Sequence, residues 1–230
     1  VISVASPVYQ EVINFSTNLL IRCATSRRVK EKNVDLAPLS LYRHIIEYAD
    51  GIEVCCRECV INPIIPLTRS IFEALLGLEY ILEIPELYTQ RSLSWLVGFI
   101  HDRLNMYDGL DPLSTRGQNT FKLFEEDKMT NSVPLPEPER VREQRGKLSE
   151  MLLKKNIIPV EKEYQRLRKK SKRLRDPKWY SLFTEIGSLY QLAKYLHRGG
   201  QYEILYRSWS VTSHANDLYS FFAGGTINRI

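Results

Sequence analysis

Between its prolines and glycines, nearly every stretch of this chain repeats its apolar residues every three or four positions, the period of an amphipathic α-helix. A run that alternates apolar and polar residues, as a half-buried strand would, is not found, nor is any repeat of the length that builds a solenoid. A chain patterned in this way has one way to bury its apolar stripes, which is to pack helix against helix. The expected fold is therefore an all-α helical bundle.

The punctuation places the helices. One is expected from about Pro7 to Arg28, and a second opens at Pro38 and runs to about Val60. A third begins beside Pro66 and ends before Ile84-Pro85, and a fourth covers about Glu86 to Tyr107. From Pro112 to Pro138 the period fades, and Asn131 to Pro138 reads as linker because it holds three prolines. Two charged segments follow, about Glu139 to Lys155 and Val160 to Arg175, and they form an additional charged helical hairpin. Asp176-Pro177 opens a helix from about Lys178 to Arg198 that Gly199-Gly200 stops, and a last helix runs from Gln201 to about Ala223. The expected organisation is residues 1–130 as N-terminal helices of the bundle, 131–177 as linker and basic charged helices, and 178–230 as C-terminal helices completing the same bundle.

At 230 residues and 43% hydrophobic content the chain can bury a substantial core. No apolar run approaches the ~20 residues that cross a bilayer, so no membrane span is expected. The four cysteines are Cys23, Cys55, Cys56 and Cys59, three of them crowded into one helical stretch. That distribution suits a reducing cytoplasm better than a cross-linked secreted scaffold. With no second ligand cluster near them, neither a metal site nor any cofactor is expected. The net charge of +5 is concentrated, since Lys162 to Lys178 carries nine Lys or Arg against Glu163 and Asp176. Arg166, Arg168, Lys169, Lys170, Lys172, Arg173 and Arg175 are the candidate contacts to a nucleic-acid backbone, with Tyr164, Trp179 and Tyr180 as aromatic neighbours. A helix this charged is, however, more often only a solvated face.

The residues that bear most on chemistry lie near the C-terminus. On a helix, Glu203, Arg207, Ser210, His214 and Asp217 form one polar stripe, next to an apolar stripe of Ile204, Val211, Ala215, Leu218 and Phe222. Arg207 and His214 are about two turns apart, roughly 10.5 Å along the axis. Histidine exchanges protons near neutrality, and a guanidinium holds a phosphate or stabilises charge developing on it. The plainer reading pairs Arg207 with Glu203 and His214 with Asp217. Arg69 and Glu73, one turn apart on an apolar helix, are expected either to pair locally or to let Glu73 orient Arg207 or His214.

Leu67 to Leu75 and Tyr202 to Asn216 resemble segments of an uncharacterised, all-helical bacterial family marked by an early Arg-Ser-x-x-Glu helix and a late Tyr-Arg-x-x-Ser-x-x-x-His helix. Here these are Arg69, Ser70 and Glu73, and Tyr206, Arg207, Ser210 and His214. The resemblance covers roughly residues 40–223. That family in turn is similar to the HEPN group of helical bundles, which includes abortive-infection and toxin proteins and carries Arg followed by His with four to six residues between. The resemblance implies a HEPN-like bundle that cleaves RNA without a metal, with His214 as general acid or base, Arg207 stabilising the phosphorus, and Ser210, Asp217 and Glu73 in support. It also implies a homodimer. The alternative is a non-catalytic helical module that binds nucleic acid or a protein partner.

Overall fold

The computed structural model describes residues 2–26, 33–60, 62–129, 136–171 and 176–207. Most of those residues are helical, with no strand among them, as the periodicity requires. The chain divides into two compact units, one of residues 1–92 with 186–230 and the other of 93–185.

In the first unit, α1 (Ile2–Ala24) and α3 (Ile64–Leu82) both pack on α2 (Leu36–Arg57). Ser6 at the start of α1 donates to Glu53 near the end of α2, so these two helices run in opposite directions. The turn between α2 and α3 is set by Cys59, which takes a left-handed conformation at φ 57°. Its amide donates to the Cys56 carbonyl at 3.2 Å and that of Val60 to Cys55 at 2.8 Å, the bonding of a Schellman stop. The crowded cysteines therefore end a helix. Phe72, Ala74, Leu76, Tyr80 and Ile81 of α3 form the buried centre with Ala37 and Ile46 of α2. A fully buried aliphatic side chain of this kind contributes about 1.5–3 kcal/mol.

Helix α4 (Tyr88–Leu110) begins in the first unit and carries the core of the second from Leu93 onward. In the second unit Leu93, Leu96, Val97 and Ile100 are buried, as are Val141 and Leu152 of α6 (Pro138–Leu152) and Val160 and Tyr164 of α7 (Ile158–Lys170). The charged hairpin is thus α6 and α7, and its thin apolar edge is part of its unit's core. The faded stretch after Pro112 holds a helix that the period did not reveal, α5 (Thr115–Glu126). Ser114 caps it by accepting the Gly117 amide at 2.8 Å. A Cβ added at Gly117 would lie 1.8 Å from the Asp111 carbonyl oxygen, a contact only a backbone shift relieves. Gly117→Ala is accordingly expected to cost about 1–3 kcal/mol, read as a fall in the melting temperature.

The expected helix from Lys178 to Arg198 is broken. Trp179–Ser181 makes one 3-10 turn, Phe183 adopts φ 62°, and α8 spans only Leu189–Tyr195 behind a Ser188 cap. Packing explains the break, because Tyr180 and Leu182 are buried and Trp179 sits against Gly98. The stop falls at His197 rather than at Gly199. His197 is left-handed at φ 57°, and Arg198 donates to the Ala193 carbonyl at 2.7 Å.

Candidate functional site

The two segments that carry the family resemblance meet in the first unit. Helix α3 presents Arg69 and Glu73 one turn apart. Gly199–Gln201 opens a helical turn, here α9, that continues as a π-helix over Tyr202–Arg207. The π-helix corrects the α-helical period assumed for the start of the last helix. In this wider turn residues four and five apart share a face, and π-turns occur frequently at functional sites. Tyr202 and Tyr206 stack at 4.9 Å, and Tyr190 of α8 leans on Tyr202 at 5.2 Å.

Tyr206 is the point of contact with α3. The Arg69 guanidinium lies over its ring, 4.3 Å from the centroid, and Glu73 is near enough to act on its phenol. Burial pushes the Tyr206 phenol above its usual range; Arg69 opposes that shift and Glu73 adds to it. The Nε of Arg69 is buried and has no hydrogen-bond partner. Arg69 and Glu73 thus converge on one tyrosine from a neighbouring element. The sequence did not single out Tyr206 as a site residue, although it immediately precedes Arg207.

Arg207 is 73% exposed at its side chain, and its Nη1 donates to both oxygens of Glu203, at 3.1 and 3.3 Å. Ser210, His214 and Asp217 lie outside the described residues, as do Lys172, Arg173 and Arg175. Within the described cluster Arg69 and Arg207 are balanced by Glu73 and Glu203, so it carries no net charge. A shallow groove of 440 Å³ elsewhere in this unit is lined by Leu78, Leu82 and Leu196 together with the Arg198–Glu79 ion pair, whose two contacts are 2.6 and 3.2 Å.

The basic helix belongs to the second unit, where some of its charge is already paired. Arg166 grips Glu163 through contacts of 2.6 and 2.8 Å, which hold the Glu163 carboxyl below its ordinary range. Arg168 binds Asp176 at 3.1 Å, while Lys169 and Lys170 are exposed. The structure also assembles polar contacts between residues far apart in sequence. His101 lies flat on Tyr164 with ring centroids 3.9 Å apart, and its Nε2 meets the Glu161 carboxylate at 2.8 Å. Gln165 donates to the other Glu161 oxygen at 2.7 Å, and Asn105 donates to Asp176 at 2.8 Å. His101 is buried, so this cluster ties α4 to α7 and offers no open site. Among the described residues no group of three His, Cys, Asp or Glu is placed to hold a metal ion. No described helix is long and apolar enough to cross a membrane.

Residues 35–225 match the model of a family of unknown function, DUF5677. Comparison with curated proteins and with solved structures gave no match.

Proposed function

We propose, for a chain that belongs to the DUF5677 family, that it binds and cleaves RNA by the metal-independent chemistry of HEPN ribonucleases. The observation that carries this reading is the convergence of Arg69 and Glu73 on Tyr206, next to Arg207. Packing spends two charged groups on anchoring the root of the segment that leads to His214, while the outward face of Arg207 stays open. In this reading a ribose 2′-hydroxyl attacks the adjacent phosphorus and the bond to the 5′-oxygen breaks, leaving a cyclic phosphate and a 5′-hydroxyl. The His214 of one copy in a homodimer takes the 2′-hydroxyl proton, and that of the other copy protonates the leaving oxygen. Arg207 offsets the charge gathering on the phosphoryl oxygens, and Ser210 and Asp217 orient His214. Lys169 and Lys170 hold the RNA backbone, with Arg166, Arg168, Lys172, Arg173 and Arg175 adding to the field. The biological setting is host defence or a toxin system in the cytoplasm.

A second reading is supported by the Arg207–Glu203 pair. A guanidinium already held by its own helix suits a non-catalytic module that binds nucleic acid or a protein partner. The two readings part on one comparison, in which wild type and His214→Ala are assayed for cleavage of labelled RNA with a chelator present. Cleavage by the wild type alone supports the ribonuclease. Equal behaviour, or activity that requires added metal, rejects it. The binding module requires a lowered melting temperature for His214→Ala and no change in activity.

A further inference from the structure

Within the second unit, helix α4 carries a column of stacked side chains on the side away from that unit's core. Trp95 and Phe99, one turn apart, lie with ring centroids 5.5 Å apart and planes 7° from parallel. The Arg103 guanidinium, one turn further on, covers the Phe99 ring at 5.2 Å from its centroid. At about 100° per residue, Trp95 and Phe99 lie about 150° and 110° round the helix from the centre of the buried stripe of Leu93, Leu96, Val97 and Ile100. Phe99 is 38% exposed and Arg103 is exposed. Beyond the ring, Arg103 meets the Met106 sulfur at 3.6 Å and, among the described residues, no carboxylate. Charge marks the same unit: residues 93–185 hold 19 Lys or Arg against 14 Asp or Glu, the whole net charge of +5, while the other unit holds 13 of each. The basic end of α7 is brought alongside the column, because Asp176 accepts from Asn105 of α4 at 2.8 Å and binds Arg168 at 3.1 Å. On the same flank Trp179, next to Lys178, sits against Gly98.

We infer that Trp95, Phe99 and Arg103 form a platform on which bases of single-stranded RNA stack, while Lys178 and the basic end of α7 hold the phosphates. Aromatic rings and a planar guanidinium offer flat faces, and every base has a flat face to match them. An apolar partner would cover the rings but strip water from the Arg103 cation and give it nothing in return. A polyanion that carries bases satisfies both. A duplex keeps its bases stacked on one another, so the strand that fits is single. The basic helix supplies attraction that any strand of phosphates would feel, and the column adds a demand for bases. The platform rests on the proposed function for its ligand, and it needs no cleavage to act.

Fluorescence anisotropy of the full chain with two labelled strands tests it. One is a short 2′-O-methyl RNA of mixed sequence, which has no attacking hydroxyl, and the other is an abasic strand with the same number of phosphates. The wild type is expected to bind the base-bearing strand more tightly. Phe99→Ala should weaken that strand by about 5–150-fold and leave the abasic strand unchanged, with helicity and melting temperature kept. Phe99→Tyr, which keeps a ring, should hold the wild-type affinity. Equal binding of the two strands, binding of neither, or an affinity that Phe99→Ala does not move overturns the platform. If Phe99→Ala fails to fold, Arg103→Gln at its exposed position decides. It must weaken the base-bearing strand more than the abasic one, and an equal effect on both overturns the platform in favour of a plain phosphate contact. Cleavage of unmodified RNA by the wild type is scored separately: base-dependent binding without cleavage ends the ribonuclease reading and leaves the platform standing, and cleavage without base-dependent binding does the reverse.

Discussion

His214→Ala is expected to slow RNA cleavage by about 10²–10⁴-fold, the range lost when a positioned proton-transfer group is removed. In the proposed chemistry the 2′-hydroxyl must lose its proton as it attacks, and the 5′-oxygen must gain one as it leaves. Without the imidazole, water has to serve at both steps. Arg207→Lys is expected to fall as well, by about 10²–10³-fold, although the charge is kept. A guanidinium presents parallel N–H groups to two phosphoryl oxygens, which an ammonium cannot match. Single-turnover rates on a labelled RNA, with chelator present and protein in excess, separate this loss from weaker binding. Arg207→Lys should keep the melting temperature of the wild type, because Arg207 is exposed and pairs only with Glu203 among the described residues. A rate equal to that of the wild type in His214→Ala would reject the mechanism.

Arg91→Leu is expected to destabilise the first unit by about 1.5–3 kcal/mol, the cost of removing a buried charged donor from its hydrogen-bonded acceptors. Arg91 is only 5% exposed. Its Nη1 donates to the Tyr80 carbonyl and to Glu83 at 3.1 Å, and its Nη2 donates to the Tyr195 hydroxyl at 3.1 Å. The guanidinium also lies over the Tyr80 ring, 3.8 Å from the centroid. One side chain thus joins α3, the first turn of α4 and α8. Leucine would fill much of the volume yet leave the Tyr80 carbonyl and the Glu83 carboxylate without this donor. Arg91→Lys should fall between the two, since a single ammonium cannot span all three acceptors. Chemical denaturation followed by circular dichroism measures the change. A loss below about 1 kcal/mol would show that the network is dispensable.

The all-helical class was legible because helix periodicity is a local property. The apolar spacing on α3 and the prolines around it need no partner to be recognised, and α3 falls within two residues of its expected bounds at Ile64–Leu82. Where local and tertiary preferences compete, the local reading gave way. Residues 178–198 carry a helical pattern, yet burial of Tyr180 and Leu182 holds the first part in a tight turn, and only Leu189–Tyr195 remains helical. Helix α5 went unread because a serine cap and a close glycine define it more than an apolar stripe does.

The candidate site divides along the same line. Arg69, Glu73 and Arg207 stood out in the sequence through residue type and spacing, and for Arg207 the choice between an open cation and a local pair with Glu203 stayed unresolved. Which groups they touch was set by tertiary packing, which turns the root of the last segment into a π-helix and places Tyr206 against α3. His101 and Glu161 show the same effect across 60 residues of chain. Periodicity reports which face of a helix must be hidden, because the cost of exposing apolar surface is paid residue by residue. Which side chain meets which across two helices depends on their relative placement, and that is settled only when many such faces are buried together.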